Sequence, residues 1–393
     1  MARSIRGLLA ASLVLSGVVA ACTLTTSFDG ISGTRPADTG ADTGTDTGTD
    51  SGTDTGTDAA SGPAQPPPRP AGDPVPGPGS RTLWLGVKHF HFAHSNDSLK
   101  KPGAWEDWGW DIDGLCTGAT ASDQAGSCQR SAAISPDQIR DGKRCRDNNF
   151  GSQIVPQLNV YNNQFENDTN NGLTAGGSAW IFVLEDLGDS ADDPYVPGKL
   201  YLTTHMPDKT RPAWDGTDTR TILPRSVMGS DIKQAVVTFP RGYVRNHVWV
   251  SGESTNFETA LPIGANGELM PMPVRAGVIA FQLNPTHTSV VDGTGQVAGA
   301  LALSNVENFL KPFLLTQTSF CPGSSQYANL MRTVESYSDL VVVGPSLQDP
   351  AKSCDGISFG IGINLAPVAA ATALGAEVTP SPGACGTMDA NGD

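Results

Sequence analysis

Aspartate recurs at every fourth position from Asp38 to Asp58, with threonine and glycine filling most of the gaps. A Pro-rich segment follows, with Pro66-Pro67-Pro68 and then Pro70, Pro74, Pro76 and Pro78. From Thr23 to Ser80 the chain offers no apolar face to set against the entropy of ordering, so it is expected to stay unfolded. The repeat should be flexible and self-repelling, the Pro-rich part stiffer and close to polyproline II. Fully extended, the stretch would reach about 190 Å at ~3.3 Å a residue, enough to clear lipid headgroups and surface polysaccharide. A calcium-binding reading of the repeat fails on scaffold, because calcium needs about six to eight oxygens presented by packed turns. Residues 22–80 are therefore read as a solvated linker.

Ahead of it, Arg3 and Arg6 form a basic start, Leu8 to Val19 an apolar core, and Val19-Ala20-Ala21 a small-residue site before Cys22. This is an export signal over residues 1–21. Its end resembles the lipobox of bacterial lipoproteins, in which the cysteine becomes the new N-terminus and is acylated. The resemblance implies lipidation at Cys22 and a protein held to the outer membrane or cell surface by lipid alone. The apolar run is shorter than the ~20 residues a spanning helix needs, and several acyl chains suffice for stable anchoring.

Residues 81–393 contain no second linker and are read as a single β-rich domain. Glycine (45) and proline (29) are frequent and only 17% of the chain is charged, so turns come often and long helices are disfavoured. Short apolar stretches predict strands at Thr82–Phe92, Ile154–Val160, Ala179–Asp186, Lys199–Thr204, Ala235–Phe239, Tyr243–Val250, Val278–Leu283, Val297–Leu303, Leu340–Val343 and Ile357–Asn364. Helices are expected at Asn305–Leu314, despite Pro312, and at Tyr327–Val334. The expected class is mainly β, an antiparallel β-sandwich of jelly-roll type with a few short helices. With 25 basic against 40 acidic residues the chain carries a charge of −15, which disfavours nucleic acid and anionic headgroups as partners.

Seven cysteines leave six once Cys22 is set aside, an even number in an exported chain, so disulfides are expected. The pairing expected is Cys116–Cys128, Cys321–Cys354 and Cys145–Cys385, among the fifteen connectivities six cysteines allow. No C-x-x-C pair exists, which argues against a zinc ribbon or thioredoxin chemistry.

The densest polar motifs lie between Trp105 and Gly151. Asp111-Ile112-Asp113-Gly114 sets two carboxylates before a glycine turn, the way a calcium loop begins. Asp141, Asp147, Asn148 and Asn149 are candidates to complete the shell, so calcium is assigned to Asp111, Asp113, Asp147 and Asn148. The competing reading is a turn in which the Asx side chains bond local backbone. A second such start at Asp389-Ala390-Asn391-Gly392-Asp393 ends before any distal glutamate and reads as a frayed terminus.

His89 and His91 share one strand face and Phe90 and Phe92 the other. His-x-His on a strand suits a transition metal, with His94, His205, His247 or His287 as third ligand; two surface histidines on an edge strand explain the pattern without metal, and that reading is preferred. Trp105, Trp108 and Trp110 could stack sugars but read better as core. No G-x-S-x-G is present, and the adjacent pairs Glu106-Asp107, Glu185-Asp186 and Asp192-Asp193 splay to opposite faces of a strand, so no hydrolytic site is located.

Three motifs together, Trp108-Gly109-Trp110-Asp111-Ile112-Asp113-Gly114, Asp147-Asn148-Asn149-Phe150-Gly151 and Cys354-Asp355-Gly356-Ile357-Ser358-Phe359-Gly360-Ile361-Gly362, resemble an uncharacterised family of exported, lipid-anchored surface proteins of Gram-negative bacteria with acidic low-complexity tethers. The resemblance implies surface exposure and one shared fold, and carries no activity. Lys88-His89-Phe90-His91-Phe92 departs from it, since a more apolar strand is expected there. The function expected is a non-enzymatic module that binds a glycan or surface protein at the end of its tether; the alternative is a secreted carbohydrate-active hydrolase.

Overall fold

The computed structural model describes residues 62–72, 79, 81–92, 104–118, 127–161, 165–206, 211–263, 268–314 and 320–377. The export signal, Cys22, the Asp repeat, His94, Cys385 and the 389–393 motif lie outside these residues.

One antiparallel sheet of ten strands forms the body, in the order β4-β3-β2-β1-β10-β9-β8-β6-β5, with β7 pairing β8 beside β6. In chain order these are β1 (Arg81–His91), β2 (Trp180–Leu187), β3 (Gly198–Leu202), β4 (Val237–Phe239), β5 (Tyr243–Arg245), β6 (Val248–Val250), β7 (Thr255–Ile263), β8 (Glu268–Gln282), β9 (Gly295–Ala302) and β10 (Gly356–Pro367). The two ends of this order, β4 and β5, are separated by only residues 240–242. The sheet therefore curls until its edges approach. The mainly β, antiparallel expectation holds, whereas the strand order is that of one curled sheet, not the two stacked sheets of a jelly roll.

The inner face of the curl carries the core. Leu85 and Val87 of β1, Trp180, Phe182 and Leu184 of β2, Trp249 of β6, Phe281 of β8 and Phe359 and Ile361 of β10 are buried there together. Each strand contributes every second residue, as the pleat requires. In β1 the alternation switches: Leu85 and Val87 point inward, then Phe90 and Phe92, because a bulge interrupts the register with β10 between Val87 and His89. The extra residue turns both phenylalanines into the core and both histidines away from it.

Among the described residues four α-helices pack on the sheet: α1 (Val155–Tyr161), α2 (Phe165–Thr174), α3 (Leu303–Leu314) and α4 (Ser325–Ser336). The last two match the expected amphipathic stretches, and Ser324 caps α4 by accepting from the Tyr327 amide at 3.1 Å. The strand expected at Ile154–Val160 is instead helical. Ile154, Val155 and Leu158 are all buried, which suits one helical face (i, i+1, i+4) better than alternation, and Pro156 lies in the first turn. Leu340–Val343 forms only an isolated bridge to Gly356, and Tyr243–Val250 is a two-strand hairpin, β5–β6.

Two disulfides join described residues, Cys116–Cys145 and Cys128–Cys354, and Cys321 is also disulfide-bonded. All three expected pairings are thereby overturned, since Cys116, Cys145, Cys128 and Cys354 have other partners. Sequence neighbourhood favoured Cys116–Cys128, but Gln129 pairs alongside Ser353, which brings Cys128 to Cys354. Disulfides of this kind belong to an oxidising compartment, so the folded part is exported. Among the described residues no helix is long and apolar enough to cross a membrane.

Part of the expected linker is folded onto the body. Over residues 62–72, Ala64 is fully buried; its amide donates to Arg144 O at 2.6 Å and its carbonyl accepts from the Asp111 amide at 2.9 Å. Arg69 donates to the Pro194 and Arg241 carbonyls and its guanidinium lies 4.6 Å from the centre of the Tyr243 ring. The Tyr243 hydroxyl donates to Pro67 O. Extended Pro-rich backbone cannot satisfy its carbonyls internally, and here Arg144, Tyr243 and the Asp111 amide supply the donors.

Candidate functional site

The three motifs that open and close the sequence's polar centre meet on the outer face of β10. Alternation there puts Ile357, Phe359, Ile361 and Ile363 into the core and Ser358, Gly360 and Gly362 outward. Side chains this small let another backbone lie flat on the strand. A Cβ on Gly360 would stand 2.5 Å from the Gly109 amide nitrogen, and one on Gly362 would stand 2.6 Å from the Trp108 indole. Gly109 itself sits at φ +108°, a conformation that favours glycine.

The Asp147–Gly151 motif ties the same surfaces. Asn148 donates to Trp105 O at 3.1 Å, and its Oδ1 accepts from the amides of Gly151 (2.9 Å) and Gly360 (2.8 Å). Asn149 donates through Nδ2 to Tyr337 O, and its amide donates to Ser358 Oγ at 2.9 Å. Ser358 in turn donates to Asp339, through Oγ at 2.5 Å and its amide at 2.9 Å. Asn148 is thus a clamp between three backbone segments rather than a member of the acidic group to which it was assigned, and Asn149 is used in the same way.

Three of the expected ligands do converge. One carboxylate oxygen each from Asp111, Asp113 and Asp147 lie within 4.8 Å of one another, and all three residues are buried. Part of their capacity is spent on the loop. Asp147 Oδ2 accepts from the amides of Ile112 (2.7 Å) and Asp113 (3.3 Å), Asp111 Oδ1 from Gly114 (2.7 Å), and Asp113 Oδ1 from Leu115 (2.8 Å). Ser127 Oγ donates to Asp113 Oδ2. The turn reading of Asp-Ile-Asp-Gly therefore describes these bonds, and Gly114 takes φ +76° as such a turn requires. Each carboxylate oxygen has two lone pairs, so acceptor capacity remains on all three groups.

Asp141 and Asp339 enlarge the group. Burial pushes the Asp141 carboxyl up to about 8, with the charges of Asp113 and Asp339 adding to it, and pushes Asp339 up to about 6. Asp147 is raised well above the ordinary carboxylate range by burial, then by Asp113, Asp141 and Asp339. Burial also raises Asp111 and Asp113. Arg130 is the cation that opposes them, bearing on Asp113, Asp141 and Asp339. Its Nη2 donates to Thr117 at 3.2 Å, while Nε and Nη1 are buried with no hydrogen-bond partner among the described residues. Such a centre can hold protons or a hard cation; it cannot stay fully ionised in a low-dielectric setting without one. Neither Asp339 nor Arg130 was anticipated. A signal existed for Asp339, the lone acid beside a strand in Ser336-Tyr337-Ser338-Asp339-Leu340, but nothing in sequence linked it to position 147.

Trp105 and Trp110 follow the core reading and are buried, whereas Trp108 is half-buried and lies stacked on His91 with ring centres 5.4 Å apart. His89 and His91 come together with Glu166 of α2, while His247 and His287 pair with each other at 2.9 Å.

A groove runs beside the acidic centre. A cleft of about 340 Å³ is lined by Gln65, Arg69, Trp110, Asp111, Ile112 and Tyr243 among others. It shares Ile112, Ser254 and Ala276 with a second, of about 690 Å³, lined further by Asn256, Arg275, Ser304 and Asn305. Comparisons with protein-family models, with curated proteins and with solved structures returned no match.

Proposed function

We propose that this protein is a lipid-anchored surface module that binds a glycan without chemical turnover, in the groove beside the acidic centre. The carrying observation is the lining of that groove. Amides (Gln65, Asn256, Asn305), hydroxyls (Ser254, Ser304, Ser346), two guanidinium groups (Arg69, Arg275) and the largely covered rings of Trp110 and Tyr243 line the two adjoining clefts. This donor-rich mixture with flat apolar surface is what a chain of sugar hydroxyls pairs with. Export through residues 1–21 and lipidation at Cys22 would present the module at the cell surface.

In this reading the acidic centre is the strut that holds Ile112 at the groove, and calcium bound to Asp111, Asp113 and Asp147 stiffens it. The three residues offer hard oxygen donors, and carbonyls and water would complete the six to eight that calcium takes. Sites in extracellular modules work at roughly 10⁻⁴–10⁻³ M, where calcium at ten times Kd stabilises a fold by about 1.4 kcal/mol.

A glycan array probed with residues 62–393, with calcium and with chelator, tests the proposal. Selective binding that Arg275→Ala and Asn305→Ala abolish is the expected result. Product release from a bound glycan would favour a hydrolase, and capture of a surface protein with no glycan signal would replace the ligand class. A melt that chelator leaves unmoved, in wild type and in Asp111→Asn/Asp113→Asn alike, would remove calcium from the account.

A further inference from the structure

The bulge in β1 places His89 and His91 on the outer face of the strand, and the first turn of α2 brings Glu166 to them. One ligand atom from each lies within 4.8 Å of the other two, and both His91 and Glu166 are 3% exposed. We infer that these three residues form a binding site for a first-row transition-metal ion, zinc foremost, separate from the acidic centre.

The donor set is the first argument. Two borderline imidazoles with one carboxylate make a donor set suited to zinc, and unlike Asp111, Asp113 and Asp147 they are a poor match for calcium. Among the described residues every cysteine (Cys116, Cys128, Cys145, Cys321 and Cys354) is in a disulfide, so none of them offers a thiolate here. An ion about 2.1 Å from each donor would hold tetrahedral neighbours roughly 3.4 Å apart. The three atoms therefore have to close by about 1.4 Å at most, which side-chain rotation supplies.

Preorganisation is the second. Asn170, one turn beyond Glu166, grips the Phe90 backbone between the two histidines: Oδ1 accepts from the Phe90 amide at 2.8 Å and Nδ2 donates to its carbonyl at 2.9 Å. Helix and strand are thus locked in register where the donors meet. Phe165, beside Glu166, packs on Phe92 with ring centres 5.3 Å apart. The His91 ring is held by Trp108 in near-parallel stacking (13°), and Trp108 in turn rests on Gly362. His89 Nε2 lies 3.3 Å from Asn170 Nδ2. Binding through Nε2 displaces that contact, whereas binding through Nδ1 puts the ring proton on Nε2.

With three protein donors, a tetrahedral ion keeps a fourth position for water or a ligand group. His-x-His alone could not distinguish a surface pair from a site, because the third donor comes from a helix that the sequence pattern did not reveal.

The test uses the full chain with disulfides intact, stripped of metal by dialysis. Titration with zinc is expected to show one equivalent bound, unaffected by excess calcium, with affinity lowered at least tenfold in His89→Ala and in Glu166→Gln. Both variants should keep the wild-type circular dichroism, since His89 is only partly buried and glutamine is isosteric. Copper(II) added to the wild type supplies a readout that needs no variant: paramagnetic resonance should show coupling to two imidazole nitrogens. No stoichiometric zinc, zinc binding retained in both variants, or a copper spectrum without nitrogen coupling would each overturn the inference.

Discussion

Gly109 and Gly360 meet backbone to backbone, so closely that a Cβ on Gly360 would fall 2.5 Å from the Gly109 amide nitrogen. The clashing atoms are main chain and cannot rotate aside. Gly360→Ala is expected to destabilise the fold by about 3 kcal/mol, at the upper end of overpacking costs. Gly229→Ala is the useful contrast, since open space surrounds that position and only its φ of +60° penalises the change. Chemical denaturation of the two variants should give a clearly lower midpoint for Gly360→Ala.

The two mapped disulfides close loops of very different length, with sequence separations of 29 for Cys116–Cys145 and 226 for Cys128–Cys354. On the chain-entropy model their contributions are about 4 and about 5 kcal/mol. Replacing Cys128 and Cys354 by serine should therefore cost more than replacing Cys116 and Cys145, measured by denaturant midpoint. A non-reducing peptide map checks the pairing itself and should recover these two linked fragments.

The protonation of the acidic centre sets an unusual pH dependence. Asp339 and Asp141 stand at about 6 and about 8 in the folded protein, above the ~3.9 of an unfolded aspartate. Between these values the folded state binds more protons than the unfolded one, so stability falls as pH rises from about 4 to about 8. In chelator the melting temperature should be higher at pH 5 than at pH 8. Asp339→Asn should flatten the lower part of that slope. A melting temperature that climbs over the same interval would contradict the assignment.

What sequence could reveal here depended on how local the cause was. The amphipathic faces of α3 and α4, and most strands of the sheet, rest on patterns a few residues long and were legible. Convergence of Asp111 and Asp113 was legible because they are neighbours. Asp141 and Asp147 were legible as their company from the same dense stretch, but Asp339 and Arg130 were not, because they arrive through long-range pairing, as does Cys354 at Cys128. The helix at Ile154 was misread because Ile154, Pro156, Leu158 and Val160 also satisfy a period of two. The β1 bulge, which decides where His89 and His91 point, leaves no mark beyond a lysine at position 88.

The folded strap over residues 62–72 gives a direct comparison of chain lengths. A protein beginning at residue 81 lacks Ala64 in its buried seat and the Arg69 bonds to Pro194 and Arg241. It should melt below one beginning at residue 62, with Arg69→Ala in the longer chain recovering part of the difference, about 1–2 kcal/mol for the lost charged hydrogen bonds. Equal melting temperatures would show the strap to be idle.

That strap also decides how a pull on the N-terminus enters the molecule. Traction along the chain reaches Ala64 and Arg69 before it reaches β1, which lies between β2 and β10 well inside the sheet. The strap's few bonds to Arg144, Pro194 and Arg241 would yield first, one after another, and lengthen the chain while the sheet stays whole. Under such a pull the segment would act as a mechanical fuse, a piece that gives way first and can re-dock once the load drops. Because it also walls one side of the groove, through Gln65 and Arg69, tension would open the groove before it unfolds the domain.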